Sequence, residues 1–216
     1  MSGASRTDAD EDDATDVMPL EDALQLPILS ELSRRLASRP LVRAPESDQR
    51  RRAGVALLIR ARTNGVLELL LIKRAAYEGD PWSGHIALPG GRREPQDASL
   101  ELTATRETWE ETGIDLTRHG ALLGPLDEVA PLHPDIPPLI IAPFVAALGP
   151  VYPLHLSDEV AEAFWVPLPA LQAPDASRNV MLDVRGTSFQ VSSFQHRGHT
   201  IWGLTERIVR QLLELM

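Results

Sequence analysis

Apolar residues recur along the chain with two different periods. Pro27, Ile28, Leu29, Leu32 and Leu36 follow the three-to-four spacing of one helix face, and proline is favoured in a first turn, so an amphipathic helix ending near Ser38 is predicted. Leu20 and Leu24 suit an earlier turn. Ala53 to Arg62 and Val66 to Arg74 are apolar runs on either side of Thr63-Asn64-Gly65, and Asn-Gly between such runs predicts a hairpin of antiparallel strands. After a polar loop from Tyr77 to Ser83, His85 to Leu88 reads as a short buried strand. A helix then follows, with Asp97 as its N-cap and Gly113 just past its C-terminus. Strands are expected at Ala121 to Val129, Leu139 to Leu148 and Ala161 to Val166, with a proline-laden loop from Pro131 to Pro138. Leu204, Ile208, Leu212 and Leu215 share one face of a closing helix. A hairpin first and helices later predict an α+β fold, a mixed β-sheet flanked by helices in an α/β/α sandwich.

Composition narrows this little. A chain of 216 residues with 43% apolar and 24% charged residues suits a single globular domain. No apolar run approaches the roughly 20 residues of a spanning helix, and the opening MSGASRTDAD lacks the basic and apolar regions of a secretory signal. A cytoplasmic protein with no membrane partner is expected. The absence of cysteine removes disulfides, thiolate nucleophiles and zinc–thiolate sites, so any metal must be held by oxygen or histidine. Charge is uneven: eight acidic residues against Arg6 fall in the first 22 positions of a chain whose net charge is −10. Residues 1–17 therefore read as a disordered acidic tail and residues 18–216 as the one domain. No basic stripe is present for nucleic acid.

The candidate chemistry lies in ALPGGRREPQDASLELTATRETWEETGIDL, Ala87 to Leu116. On a helix, Glu107, Glu110 and Glu111 project from one side, and Arg106 offsets only part of their charge. A hard divalent cation relieves that repulsion, because Mg²⁺ takes a few carboxylate oxygens, keeps several waters and then meets substrate phosphates. The glycines of Pro89-Gly90-Gly91 let backbone approach such a site closely.

The stretch resembles the Nudix box, G-x5-E-x7-R-E-U-x-E-E-x-G-U with U apolar: Arg106, Glu107, Glu110, Glu111, Gly113 and Ile114 match in register. Thr108 replaces the first apolar residue, and Ala98 stands where the earlier glutamate belongs, with Asp97 beside it and Glu94 further upstream. The loop GGRREPQDAS is one residue longer than the general pattern and is similar to the coenzyme A pyrophosphatase-like subgroup. Further likeness runs through Leu70 to Arg74, Gly84 to Gly91, Asp158-Glu159-Val160, Trp165 to Leu168 and Ile201 to Thr205. The loop YEGDPWSG ahead of the box departs from that subgroup.

The resemblance implies a Nudix fold and a Mg²⁺- or Mn²⁺-dependent pyrophosphohydrolase acting on coenzyme A or a related nucleoside diphosphate-linked metabolite. Other nucleotide substrates (ADP-ribose, a nucleotide sugar, a nucleoside triphosphate), a non-catalytic nucleotide-binding module and a homodimer all stay open. It implies Glu107 and Glu111 as principal metal ligands, joined by Glu110 and the Gly91 carbonyl, with Arg106 orienting them from Asp97 or Glu110. The general base is Glu107 itself, Glu159 or Glu162. Arg74, Arg92 and Arg93 are the expected phosphate contacts, ahead of Arg60 and Lys73, and Trp82 a contact for the rest of the substrate. His133 reads as a surface residue, His85 as strand filler, Trp109 and Trp165 as core, and Trp202 as an anchor for the last helix.

Overall fold

The structure, a computed structural model, describes residues 16–45, 51–78, 82–131, 138–151, 153–184 and 187–216. Helices α1 (Leu20–Gln25) and α2 (Pro27–Ser38) come first, with Pro27 in the opening turn of α2 and Leu29, Leu32 and Leu36 buried along its inner face. Strands β1 (Arg51–Ala61) and β2 (Leu67–Arg74) form the hairpin, Ile59 opposite Leu69 and Ala61 opposite Leu67. Gly65 turns it at φ 83°, and the Asn64 side chain accepts the Val66 N–H.

β1 is the centre of the larger sheet. Strand β6 (Leu139–Leu148) runs parallel to it from Arg51 to Arg60 and carries β5 (Gly120–Pro125) on its far side. The other edge of β1 is shared: β2 takes the end near Ala61, while the short β4 (Gly90–Arg92) takes Ala53 to Val55. β3 (Ile86–Ala87) pairs with Ile72 and Lys73 of β2, whose outer edge takes β7 (Val160–Pro167). Both faces of this sheet are covered, so β1 is apolar on each. Val55, Leu57 and Ile59 pack with Leu32 of α2 and Val209 and Leu212 of α6 (Gly203–Leu215), whereas Ala56 and Leu58 pack with Ala104 and Ile114 at α3 (Leu100–Thr112).

α3 lies unusually close to β1 because Gly54 has no side chain. A Cβ there would stand 2.1 Å from the Leu100 carbonyl oxygen, which is backbone and cannot turn aside. Gly54→Ala is therefore expected to destabilise by at least the ~1–3 kcal/mol of core overpacking, read as a fall in thermal midpoint without loss of secondary structure. The close approach also explains the helix's buried face, which carries Thr103, Ala104, Thr108, Glu111 and Thr112 rather than large apolar residues.

Several expectations are corrected. Ser99, not Asp97, caps α3, its hydroxyl accepting the Leu102 N–H at 3.1 Å. Trp109 is not core: it is 56% exposed, with Leu102 two turns earlier on the same side. Gly90 and Gly91 lie in a strand rather than a free turn. The strand expected to Val129 stops at Pro125, after a one-turn α4 (Leu116–His119) that the apolar pattern does not show, and Val129 makes a separate bridge to Ile141. Val17, assigned above to the tail, bridges Arg62 and is buried; residues 1–15 of that tail and His133 lie outside the described residues. Beyond α5 (Leu168–Gln172), an antiparallel sheet of β8 (Ser177–Val184), β9 (Thr187–His196) and β10 (His199–Trp202) has no counterpart among the expected elements. Among the described residues no helix is long and apolar enough to cross a membrane.

Candidate active site

The loop between β4 and α3 is tied down by charge. Asp97 accepts the Glu94 N–H (2.9 Å) and the Thr103 hydroxyl (2.9 Å), and meets Arg106 through Nε (3.1 Å) and Nη2 (3.0 Å). The Arg106 guanidinium holds this buried carboxyl well below the usual carboxylate range. Arg106 also reaches Glu107 (3.0 Å), Glu110 (2.9 Å) and the Arg92 carbonyl (3.1 Å), so one planar fork joins loop, strand and helix. Both partners expected for Arg106 are present, and Glu107 is a third.

Helix α3 then presents its glutamates at graded depth. Glu110 is largely exposed, Glu107 half-buried and Glu111 only 4% exposed. Glu107 sits directly over β4: a Cβ on Gly91 would stand 2.4 Å from its carboxylate, so any larger residue there would displace the carboxylate from this place. Glu111 Oε2 accepts the Gly90 N–H at 2.8 Å. Burial pushes the Glu111 carboxyl up to about 7, opposed by the Gly90 N–H and by Arg74 and reinforced by the charges of Glu107 and Glu159. Glu107 is likewise raised by burial, with Arg106 working against the shift.

These groups open onto a cavity of about 570 Å³. Arg106, Glu107, Glu110, Glu111, Gly91, Arg74, Arg92, Trp82 and Glu159 all line it. Arg93 does not: its guanidinium bonds the Asp97 carbonyl at 3.0 Å and so braces the loop. Glu162 is also elsewhere, 3.4 Å from His199 Nε2. Arg60 is buried against Glu68 at 2.8 Å and lies over the Trp165 ring, while Lys73 stands opposite Glu162 in the β2–β7 register and is not among the residues lining the cavity. His85, read above as filler, lines the cavity, as do Trp202, Leu204 and Thr205 from the start of α6. Their sequence signal is the likeness noted above through Gly84 to Gly91 and Ile201 to Thr205, which marks the segments without giving these residues a place in the cavity.

A mixed sheet covered on both faces, with one helix delivering three glutamates beside a glycine strand, is the architecture of the Nudix class. A NUDIX domain family model matches residues 49–184, more than half of the chain, and the chain belongs to the Nudix hydrolase family. It is 36% identical to a Nudix hydrolase NudL of Photorhabdus laumondii over 171 residues, 78% of this chain and 86% of that protein. A Nudix hydrolase NudL of Cronobacter sakazakii is 33% identical over 186 residues, 84% and 90% of the two chains. An uncharacterized protein of Schizosaccharomyces pombe is 41% identical over 119 residues; the match covers 53% of this chain and 36% of that longer protein.

Nudix hydrolases generally use divalent metal ions. The donors here fit a hard cation: they are carboxylate oxygens, and the buried Glu111 carboxylate keeps one oxygen beyond the Gly90 bond. Among the described residues no three acidic or histidine side chains are gathered into a cage. Mg²⁺ needs none, since it binds through one or two carboxylates, waters and substrate phosphates.

Proposed function

We propose that the protein is a Mg²⁺- or Mn²⁺-dependent pyrophosphohydrolase that cleaves the diphosphate of coenzyme A or a related nucleoside diphosphate-linked metabolite. One observation carries the reading: Glu107, Glu110, Glu111 and Glu159 line the same cavity as Arg74 and Arg92. A bound cation supplies charge neutralisation of the diphosphate and lowers the pKa of an attacking water. Glu111 and Glu107 hold that cation, Glu110 completes the acidic rim, and the Gly91 carbonyl of β4 is a further donor. Arg74 and Arg92 grip phosphate oxygens with planar forks. Arg106 is a positioning residue that fixes Glu107 and Glu110 against Asp97. Glu159, close enough for its charge to act on Glu107 and Glu111, takes the proton of the water, a role Glu162 cannot reach from its place beside His199. Support for coenzyme A comes from the lengthened loop GGRREPQD and from a cavity that continues from the acidic groups to the apolar side chains of Leu88, Leu204 and Ile208.

The test is a substrate panel of coenzyme A, ADP-ribose, dinucleoside polyphosphates, nucleoside triphosphates and nucleotide sugars, with Mg²⁺ or Mn²⁺ and with chelator. Metal-dependent release of 3′,5′-ADP from coenzyme A is the expected result. Preferred turnover of another member reassigns the substrate, and no turnover of any member supports the binding module instead.

A further inference from the structure

Another region of the same cavity is walled by three rings from three separate segments. Trp82 comes from the loop before β3, His85 from the residue just ahead of β3, and Trp202 from the junction of β10 and α6. Trp82 meets His85 edge-on, with centroids 5.8 Å apart and planes at 77°, and His85 leans on Trp202 at 4.8 Å and 56°. None of the three belongs to either hydrophobic core, and all are half-buried. Two of the chain's four tryptophans thus face one cavity in a protein only 5% aromatic.

The wall is braced, and it is registered to the phosphate end. Thr205 Oγ1 donates to the Ile86 carbonyl at 3.0 Å, tying the first turn of α6, and so Trp202, to the residue that follows His85. The Arg74 N–H donates to the His85 carbonyl at 3.0 Å, and the Gly84 N–H to the Arg74 carbonyl at 3.2 Å. A ligand whose charged group meets Arg74 therefore has the rings within one residue pair of it.

Resting on the hydrolase reading above, we infer that Trp82, His85 and Trp202 are the specificity-determining subsite for a nucleobase joined to the diphosphate. Rings set at 56° and 77° to one another make an aromatic corner, in which a flat ligand stacks on one face while its edge meets the next ring. A flexible aliphatic arm gains nothing from such angles. Stacking tolerates any base, because every base has a π-face, so the corner distinguishes a ligand that carries a base from one that does not.

The test is calorimetric titration of the full chain with adenosine monophosphate and, separately, ribose 5-phosphate, neither of which needs turnover. The base is expected to tighten binding about tenfold or more, with Trp202→Ala and Trp82→Ala each erasing most of that gain and leaving ribose 5-phosphate unchanged. Trp202→Phe, which keeps a ring, is expected to retain it. Equal affinity for the two ligands, or a preference that survives both alanine variants, overturns the subsite. Trp82 lies on a loop, so its variant decides the matter if Trp202→Ala fails to fold. A ring-dependent preference in a protein that hydrolyses no diphosphate overturns the hydrolase reading alone, and hydrolysis with no such preference overturns the subsite alone.

Discussion

Glu111→Gln is expected to lower kcat/KM in a Mg²⁺-dependent assay by roughly 10³-fold or more while making the metal-free protein more stable. Both effects come from one carboxylate. Glu111 is 4% exposed and receives a single backbone N–H, so burial raises its carboxyl to about 7, well above the ordinary 4.5. The native state accordingly holds a proton that the unfolded chain has lost through that window. Its stability falls as pH rises from about 4.5 to about 7, and above that the full cost of a bare buried charge, on the order of 3 kcal/mol, is present. Glutamine keeps the shape and an oxygen for the Gly90 N–H but carries no charge. Thermal melts of metal-free protein at pH 8 should place the variant several degrees above the native chain, and melts near pH 4 should bring the two together. Adding Mg²⁺ should raise the native midpoint and leave the variant's where it was. A variant with native turnover, or with a native response to Mg²⁺, refutes the assignment of Glu111 as metal ligand.

What can be read of the site from sequence is whatever a single helix makes by itself. Glu107, Glu110 and Glu111 line one cavity because residues three and four apart share a side of the helix, and Gly113 ends that helix at φ 74°. Elements defined by a clean period are equally legible: Leu139–Leu148 is a strand with the expected ends, and the last helix differs by one residue. The rest of the cavity depends on contacts between distant segments. His85 and Trp202 touch across more than a hundred residues, and no local spacing reports that. Trp109 misleads because an apolar side chain on a helix is ordinarily turned inward, whereas at Gly54 the helix approaches β1 so closely that its inner face admits small side chains. Strands β8 and β9 escape notice because SRNVMLDV alternates poorly, and the side chains of Ser177, Arg178, Asn179 and Met181 are all exposed. Glu159 and Glu162 are separated by where β7 begins: Glu159 lies in the turn just ahead of the strand and lines the cavity, whereas Glu162 stands within it, past a register shift at Lys73 and Arg74 that alternation along the sequence does not report.

Arg106→Ala should be the most damaging single change to stability, on the order of 3–5 kcal/mol, because it strips a buried acidic group of its counter-charge. Asp97 is 6% exposed, and without the guanidinium it keeps only the Glu94 N–H and the Thr103 hydroxyl. Lysine cannot substitute, since a single ammonium cannot span Asp97, Glu107, Glu110 and the Arg92 carbonyl together. The pH dependence has a definite sign. Arg106 depresses the Asp97 carboxyl below its unfolded value, so the pair's contribution is fully present above the ordinary aspartate range near pH 4 and is lost as pH falls towards the depressed value. In Arg106→Ala that carboxyl is buried without its partner, its pKa moves up rather than down, and the variant should lose less stability than the native chain on acidification. Urea unfolding at pH 7 and pH 3 measures both. Adding Asp97→Asn to Arg106→Ala should recover some of the loss, because the stranded charge is gone, whereas the loss of Arg106's hold on Glu107 and Glu110 remains. Metal affinity should therefore stay weak in the double variant even where stability returns. A single variant within about 1 kcal/mol of the native chain at pH 7 contradicts this account of Arg106.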